Sequence, residues 1–309
     1  MTGRSDTEAD MTGRSNTEAD MTEKTQQRAA LYILTGAALW GIIGLWNRKL
    51  LAAGLSPTDI VVIRNFGGMS LLALVLLIRD RAAFRVERAC IPYFFGTGVV
   101  SVLFFTICYF SCQKICSLSV ASVLLYTAPS FVVLMSAALW KEPITPRKLL
   151  ALILTLFGCI LVCGLLNGGG LTVTAAGVLY GLGAGFFYAL YSVFGRYALA
   201  SASSMTVTLW TFLFAGVASL IFFRPSHMSP LASPGTLGAA LGLVVFSTVL
   251  PYLFYTAGLA HTEAGKASIM ASLEPVIASL TGVIIFHEAI SVTGVAGIAL
   301  VLAGVYILR

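Results

Sequence analysis

From Ala29 to Arg309 the chain is a succession of long apolar blocks separated by short polar gaps, and this pattern limits the fold more than any motif does. The blocks fall at about 30–47, 60–78, 91–112, 117–139, 148–166, 175–197, 205–223, 236–259, 265–286 and 291–308. Each approaches the ~20 residues an α-helix needs to cross ~30 Å of hydrocarbon. Charged residues are only 10% of the composition and the mean hydropathy is +0.92. A water-soluble domain keeps polar faces for solvent and has no place to hide so much apolar surface. In a bilayer each helix satisfies its own backbone. The pattern therefore predicts an all-α integral membrane protein with ten transmembrane helices, in contact with lipid along most of its length.

Charge sets the expected orientation. Fourteen of the 19 basic residues (Arg4, Arg14, Lys24, Arg28, Arg79, Arg81, Arg85, Arg88, Lys141, Arg147, Lys148, Arg196, Lys266 and Arg309) fall on one side of such a bundle. Four (Arg48, Lys49, Lys114 and Arg224) fall on the other, and Arg64 lies within a block. Basic residues concentrate on the cytoplasmic side of a membrane, so both termini are expected in the cytoplasm and the protein in the cytoplasmic membrane. The net charge of +6 is thus read as topology. No groove of interleaved basic and aromatic residues suggests a nucleic acid partner. The six cysteines lie in or beside apolar blocks and read as small hydrophobes; Cys108, Cys112 and Cys116 share a helical stripe, but no metal site is expected.

Residues 1–20 are a direct repeat, MTGRSDTEAD followed by MTGRSNTEAD, with a further Met at position 21. Polar and poor in apolar residues, the 1–28 segment is expected to be a disordered tail.

A second repeat organises the rest. At a shift of 146 residues Tyr109 matches Tyr255, Ala121-Ser122 matches Ala267-Ser268, Pro129 matches Pro275, Glu142 matches Glu288 and Gly158 matches Gly304. At a shift of 148, Arg48 matches Arg196. The halves are 29–166 and 167–309. Five helices in each would place the second copy upside down, a 5 + 5 inverted repeat of the kind alternating-access transporters use.

A proline-centred helix running into a Glu occurs in both halves: Ala128-Pro129-Ser130 leads to Lys141-Glu142, and Leu273-Glu274-Pro275-Val276 leads to His287-Glu288. With ten helices in two five-helix halves, the chain from about residue 29 to 309 resembles the drug/metabolite transporter superfamily, EamA type. That resemblance implies a secondary active transporter, an exporter or exchanger of small metabolites such as amino acids or drug-like compounds.

The residues themselves nominate a site. Glu274 lies about 13 Å into its helix at ~1.5 Å per residue, where an ionisable group signals function; it could bind a substrate amine or carry a proton. Arg64 lies about 7 Å from the other end of its helix by the same rise, which leaves about 10 Å between the two charges across a ~30 Å core. A zwitterionic substrate would suit that spacing. Trp40, Tyr109, Tyr126, Tyr188 and Tyr255, with Tyr191, lie inside blocks where their polar tips need partners or a wet cavity. Trp46, Trp140 and Trp210 read as interfacial belt residues. Pro129 and Pro275 are expected to kink their helices and free the carbonyls of Leu125 and Ala271. Gly177, Gly181 and Gly185 form a ladder for close helix approach.

No cofactor motif is present. Gly265-Lys266-Ala267 lacks the upstream glycine of a P-loop, since position 260 is Ala, and His287-Glu288 has Ser291 where a zinc-protease helix needs His. An intramembrane enzyme would want clustered His, Asp or Glu within helices, and Glu274 stands alone there. A non-transporting scaffold is the remaining alternative, and a homodimer is compatible with the sequence. In a cysteine-free background, a single cysteine at position 85 is expected to be shielded from an impermeant thiol reagent added outside cells, and one in the Ser226–Pro234 gap to be labelled. Outside-only labelling at position 85 would reverse the assignment.

Overall fold

The computed structural model describes residues 5–166 and 173–308, with side chains from residue 23 onward. Regular helix accounts for nearly all of it, in the following order: α1 (Glu23–Ala52), α2 (Pro57–Arg79), α3 (Arg88–Ile115), α4 (Leu118–Trp140), α5 (Pro146–Val162), α6 (Ala175–Leu199), α7 (Ser204–Phe222), α8 (Pro234–Leu259), α9 (Ala264–Phe286) and α10 (Val292–Ile307). Among the described residues eight of these are long and apolar enough to cross a membrane, with α5 at 17 residues and α10 at 16 falling short. The expected all-helical membrane protein is thus present, while the count of ten crossings goes beyond what helix length alone supports. The Asn167–Gly170 turn and the boundary between the halves lie outside the described residues.

Helix also runs back from α1 to Ser5, across the segment expected to be a disordered tail. Neither decapeptide contains proline, and a helix already nucleated by the apolar span gains a hydrogen bond for each residue it adds.

The two proline helices differ from the expected kinked rods. α4 is broken into α4a (Leu118–Leu125) and α4b (Ala128–Trp140), and α9 into α9a (Ala264–Ala271) and α9b (Glu274–Phe286). Pro129 and Pro275 each sit in the first turn of the second piece. There the missing N–H would have had no intrahelical partner, so proline starts a helix where it was expected to bend one. Glu274 thereby becomes the first residue of α9b.

The two broken helices run in opposite directions. α4 ends at Glu142, which accepts hydrogen bonds from the start of α9a, and α9 ends at Glu288, which shares a cavity with the start of α4a. Sequence reading missed a second pair of matched irregularities. π-helical turns occupy Gly96–Leu103 in α3 and Val245–Val249 in α8, ending at residues 146 positions apart. The irregular stretches are tied down by polar side chains: Thr97 and Thr211 share a hydrogen bond of 2.7 Å, and Ser247 Oγ donates to the Leu39 carbonyl.

Close backbone approach through glycine holds the bundle together, because apolar burial alone gives little preference for protein over lipid. A Cβ on Gly158 of α5 would lie 2.8 Å from the Gly297 carbonyl of α10, and one on Gly304 2.9 Å from the Ala151 carbonyl. The Gly177, Gly181 and Gly185 ladder of α6 meets Cys116, Leu124 and the break in α4 respectively, as its spacing predicts. Gly158→Leu is expected to destabilise the purified protein by about 1–3 kcal/mol, typical of overpacking, and to lower its thermal midpoint in detergent. An unchanged midpoint would mean that α5 and α10 separate without cost.

Candidate functional site

The breaks in α4 and α9 place irregular backbone in the interior, and the polar residues collect around them. Glu274 is partly exposed, and among the described residues its carboxylate makes no hydrogen bond or ion pair. Arg64, Tyr109, Tyr126, Tyr188, Tyr252 and Cys163 all lie within electrostatic range of it. A carboxylate at membrane depth is costly unless a countercharge, a helix N-terminus or water attends it. Here the positive end of the α9b macrodipole lies directly behind Glu274, and Arg64 provides a more distant countercharge.

Arg64 and Glu274 do not form a salt bridge, in keeping with the separation expected from depth. Arg64 Nη2 instead makes a long 3.5 Å hydrogen bond to the Tyr252 hydroxyl, and its guanidinium carbon lies 5.8 Å from the Tyr252 ring centroid. Arg64 Nε is buried without a partner.

An aromatic cluster lies within electrostatic range of both charges. Trp40 packs edge-on against Tyr252 at 5.1 Å and Tyr188 at 6.4 Å, and tilted against Tyr255 at 5.4 Å. Tyr252 also meets Tyr191 at 5.0 Å and Phe212 at 5.1 Å. Such edge-to-face pairs fix ring orientation beyond what burial provides. Tyr252 is therefore the hub of the cluster, and sequence reading missed it. The signal was available: it lies three residues before Tyr255, on the same face of α8.

The nominated tyrosines divide by what their hydroxyls do. Tyr255 bonds Ser192 at 2.8 Å, Tyr191 bonds Thr256 at 2.6 Å, and Tyr109 bonds Ser122 at 3.2 Å. Those of Tyr255 and Tyr191 are spent joining α6 to α8. The hydroxyls of Tyr126, at the α4 break, and Tyr188 make no hydrogen bond among the described residues. Trp40 Nε1 and both polar atoms of the Asn65 side chain are buried without partners. The hydroxyls of Tyr126 and Tyr188, both within electrostatic range of Glu274, are thus unspent beside an unspent carboxylate.

A cavity of about 420 Å³ opens next to this centre and is lined by Tyr126, Cys163 and Pro275 at its deep end and by Leu118, Ser119, Glu288 and Ser291 at its mouth. The opposite end differs. A cleft of about 770 Å³ there is lined by helix ends and turns, including Arg196, His261, Glu263 and Lys266, and by none of the central residues. Among the described residues no group of three or more His, Cys, Asp or Glu is placed to hold a metal, and Cys112 and Cys116 pack with Val120 and Ala121. Trp140, expected in the interfacial belt, packs tilted against Tyr197 at 5.2 Å and lies under Arg196, while Trp210 stacks on Phe94 and donates to the Ala83 carbonyl.

Eight helices long and apolar enough to cross a membrane, two of them broken around a polar interior, define a multi-pass membrane protein. The model of the EamA-like transporter family matches residues 27–164 and again 175–309, so the chain belongs to that family. It is a transporter rather than an enzyme. Two uncharacterized transporters of Archaeoglobus fulgidus are similar to it: one is 28% identical over 89% of this chain and 94% of its own length, and the other 27% over 82% and 88%. The uncharacterized transporter YwfM of Bacillus subtilis is 24% identical over 90% and 93%. A solved crystal structure 21% identical in sequence superposes with a TM-score of 0.74 over 90% of this chain and 95% of that one, a likeness of fold.

The Tyr255–Ser192 bond is expected to be structural. Tyr255→Phe and Ser192→Ala should each lower stability by about 1 kcal/mol, and the double variant by less than their sum. Strict additivity in detergent unfolding would show that the two hydroxyls do not act together.

Proposed function

We propose that this chain is a secondary active transporter that moves a small organic solute across the cytoplasmic membrane by alternating access, with both termini in the cytoplasm. The single observation that carries the reading is the carboxylate of Glu274 at the break in α9, unpaired among the described residues and within electrostatic range of Arg64 and of Tyr126, Tyr188 and Tyr252. The carboxylate takes the cationic end of a solute and Arg64 the anionic end. Trp40, Tyr126, Tyr188 and Tyr252 supply ring faces and free hydrogen-bonding groups between them. Amino acids and zwitterionic drug-like compounds have this chemistry.

The family assignment supports transport, and the antiparallel course of the two broken helices supports an inverted repeat with five helices in each half, 29–166 and 167–309. The mechanism requires only that the solute bind more tightly at the centre than in water, and that the centre face one side at a time. With no nucleotide-binding motif in the sequence, the driving force is a solute or proton gradient, and export or exchange is the direction proposed.

Glu274→Gln decides the role of the carboxylate, since it keeps the size and hydrogen-bonding capacity while fixing the charge at zero. In proteoliposomes tested with a panel of amino acids and cationic drugs, it should abolish pH-driven transport yet leave counterflow intact if Glu274 carries the coupled proton. If Glu274 binds the substrate amine, both should fall, with affinity reduced about tenfold or more for cationic and zwitterionic solutes, as for loss of a hydrogen bond to a charged group. Wild-type rates in both assays at equal abundance would remove Glu274 from the site.

A further inference from the structure

The two Glu residues that end the broken helices form the same kind of ion pair in two different states. At one end Glu142 Oε1 accepts from Arg196 Nη1 at 2.6 Å and from the Ala264 N–H at 3.2 Å, while Oε2 accepts from the Gly265 N–H at 3.4 Å. It therefore caps the N-terminus of α9a, a helix of the other half, whose dipole favours a negative charge there. Lys148 lies 3.8 Å from Glu142 and donates to Glu263 at 2.7 Å and to the Pro143 carbonyl at 3.0 Å. The Glu142 and Lys148 side chains are each 5% exposed.

At the other end Glu288 pairs with Arg48 at 2.6 Å, and both side chains are about half exposed, at 48% and 52%. Glu288 does not reach across to the other half's broken helix. Its Oε2 rests against Gly282 on its own helix, close enough that a Cβ there would lie 2.5 Å away. Among the described residues the N-terminus that corresponds to α9a, namely that of α4a, has no side-chain cap: Ser117 makes no capping hydrogen bond and its Oγ is buried without a partner. Leu118 and Ser119, which correspond to Ala264 and Gly265, face Glu288 across the 420 Å³ cavity.

The backbone is prepared alike at both ends. Lys141 and His287, each immediately before its Glu, hold left-handed conformations with φ of 55° and 54°. Non-glycine residues adopt that region only where the surroundings impose it. The Glu N–H groups return to the carbonyls six residues earlier, Ser136 and Gly282. The shared turn aims each carboxylate toward the opposite half.

We propose that Glu142 and Glu288 are the paired gate residues of the transport cycle, each closing its end by capping the N-terminus of the other half's broken helix. Glu142 is closed on α9a in this structure, and Glu288 is withdrawn from α4a. In the opposite state Glu288 caps Leu118 and Ser119, and Glu142 releases Ala264 and Gly265. The two gates are unequal. Lys148 corresponds to Gly294 and Glu263 to Ser117, so the Glu288 gate lacks the second ion pair. The empty protein accordingly rests with the Glu142 end closed and the Glu288 end open. This inference rests on the alternating-access reading, but it concerns the resting equilibrium and is tested without any solute.

The test uses the full chain on a cysteine-free background, reconstituted in vesicles. A reporter cysteine replaces either Ser279, which lines the open cavity, or Ser268, buried behind Glu142 on α9a. The labelling rate with an impermeant maleimide is read from the accessible side. Glu142→Gln should raise labelling at position 268 about tenfold and lower it at 279, since loss of charge-assisted hydrogen bonds moves the equilibrium by about that factor. Lys148→Gln should act in the same direction more weakly, and serves if Glu142→Gln does not fold. Glu288→Gln should move both rates the other way or leave the already open end unchanged, with position 268 no faster than in the parent. A general loosening would raise both positions in every variant, and that result overturns the proposal. Rates within twofold of the parent for both Glu142→Gln and Lys148→Gln overturn it as well. Solute flux is measured separately: flux with unmoved labelling sinks the gates but not transport, while shifted labelling without flux leaves the gates standing and sinks the proposed function.

Discussion

In hydrocarbon every backbone N–H and C=O must find its partner within the protein, and at two points this chain cannot meet that demand with a continuous helix. Pro129 and Pro275 have no N–H to give, so each helix stops with three residues left before its proline, and a second one starts at the residue just ahead of it. At each break a neighbouring helix supplies close backbone cover. α6 supplies it at the first break through Gly185, where a Cβ would lie 2.9 Å from the Leu124 carbonyl. α1 supplies it at the second through Gly41, where a Cβ would lie 2.8 Å from the Glu274 carbonyl. The glycines, the packing of the first helix of each half against the other's broken helix, and the polar centre between them all follow from these two interruptions.

The same constraint explains why Glu274 can sit where it does. A helix interior offers a carboxylate no donors, whereas the first turn of a helix offers a positive dipole end. By breaking the helix, Pro275 changes the residue before it from a buried mid-helix acid into one at a helix N-terminus beside a cavity. Proline and acid are therefore one device, and the matched break in α4, with Ala128 in the equivalent place, is the same device without the charge.

Much of this was legible in the sequence, because helices in a bilayer are read by length and hydropathy, and repeat positions by residue identity. Glu274, Arg64 and Trp40 stood out since polar groups are scarce within apolar blocks, and the structure brings them together. What was not legible depends on contacts between distant segments. The bond from Glu142 to the α9a N-terminus joins residues 122 apart in sequence, and Tyr252 acquires its role only from rings on α1, α6 and α7. The π-helical turn in α8 precedes Pro251, whose missing N–H the sequence reading passed over, and Tyr255, nominated for the site, turns its hydroxyl to Ser192. The prolines were assigned the right place but a different effect, because propensity alone does not distinguish a bend within one helix from the start of the next.

The hydrogen bonds of the bundle are unevenly spread. Glu142, at one helix end, takes two backbone donors and one guanidinium. Among the described residues the Glu274 carboxylate, Trp40 Nε1 and Arg64 Nε make no hydrogen bond. Each buried unpaired group costs on the order of 1–3 kcal/mol. A structural core would have evolved apolar replacements at such positions with little penalty, since replacing both members of a polar pair by matched apolar groups is nearly neutral. A solute with complementary donors and acceptors would offset that cost, which is the physical argument for the proposed binding site.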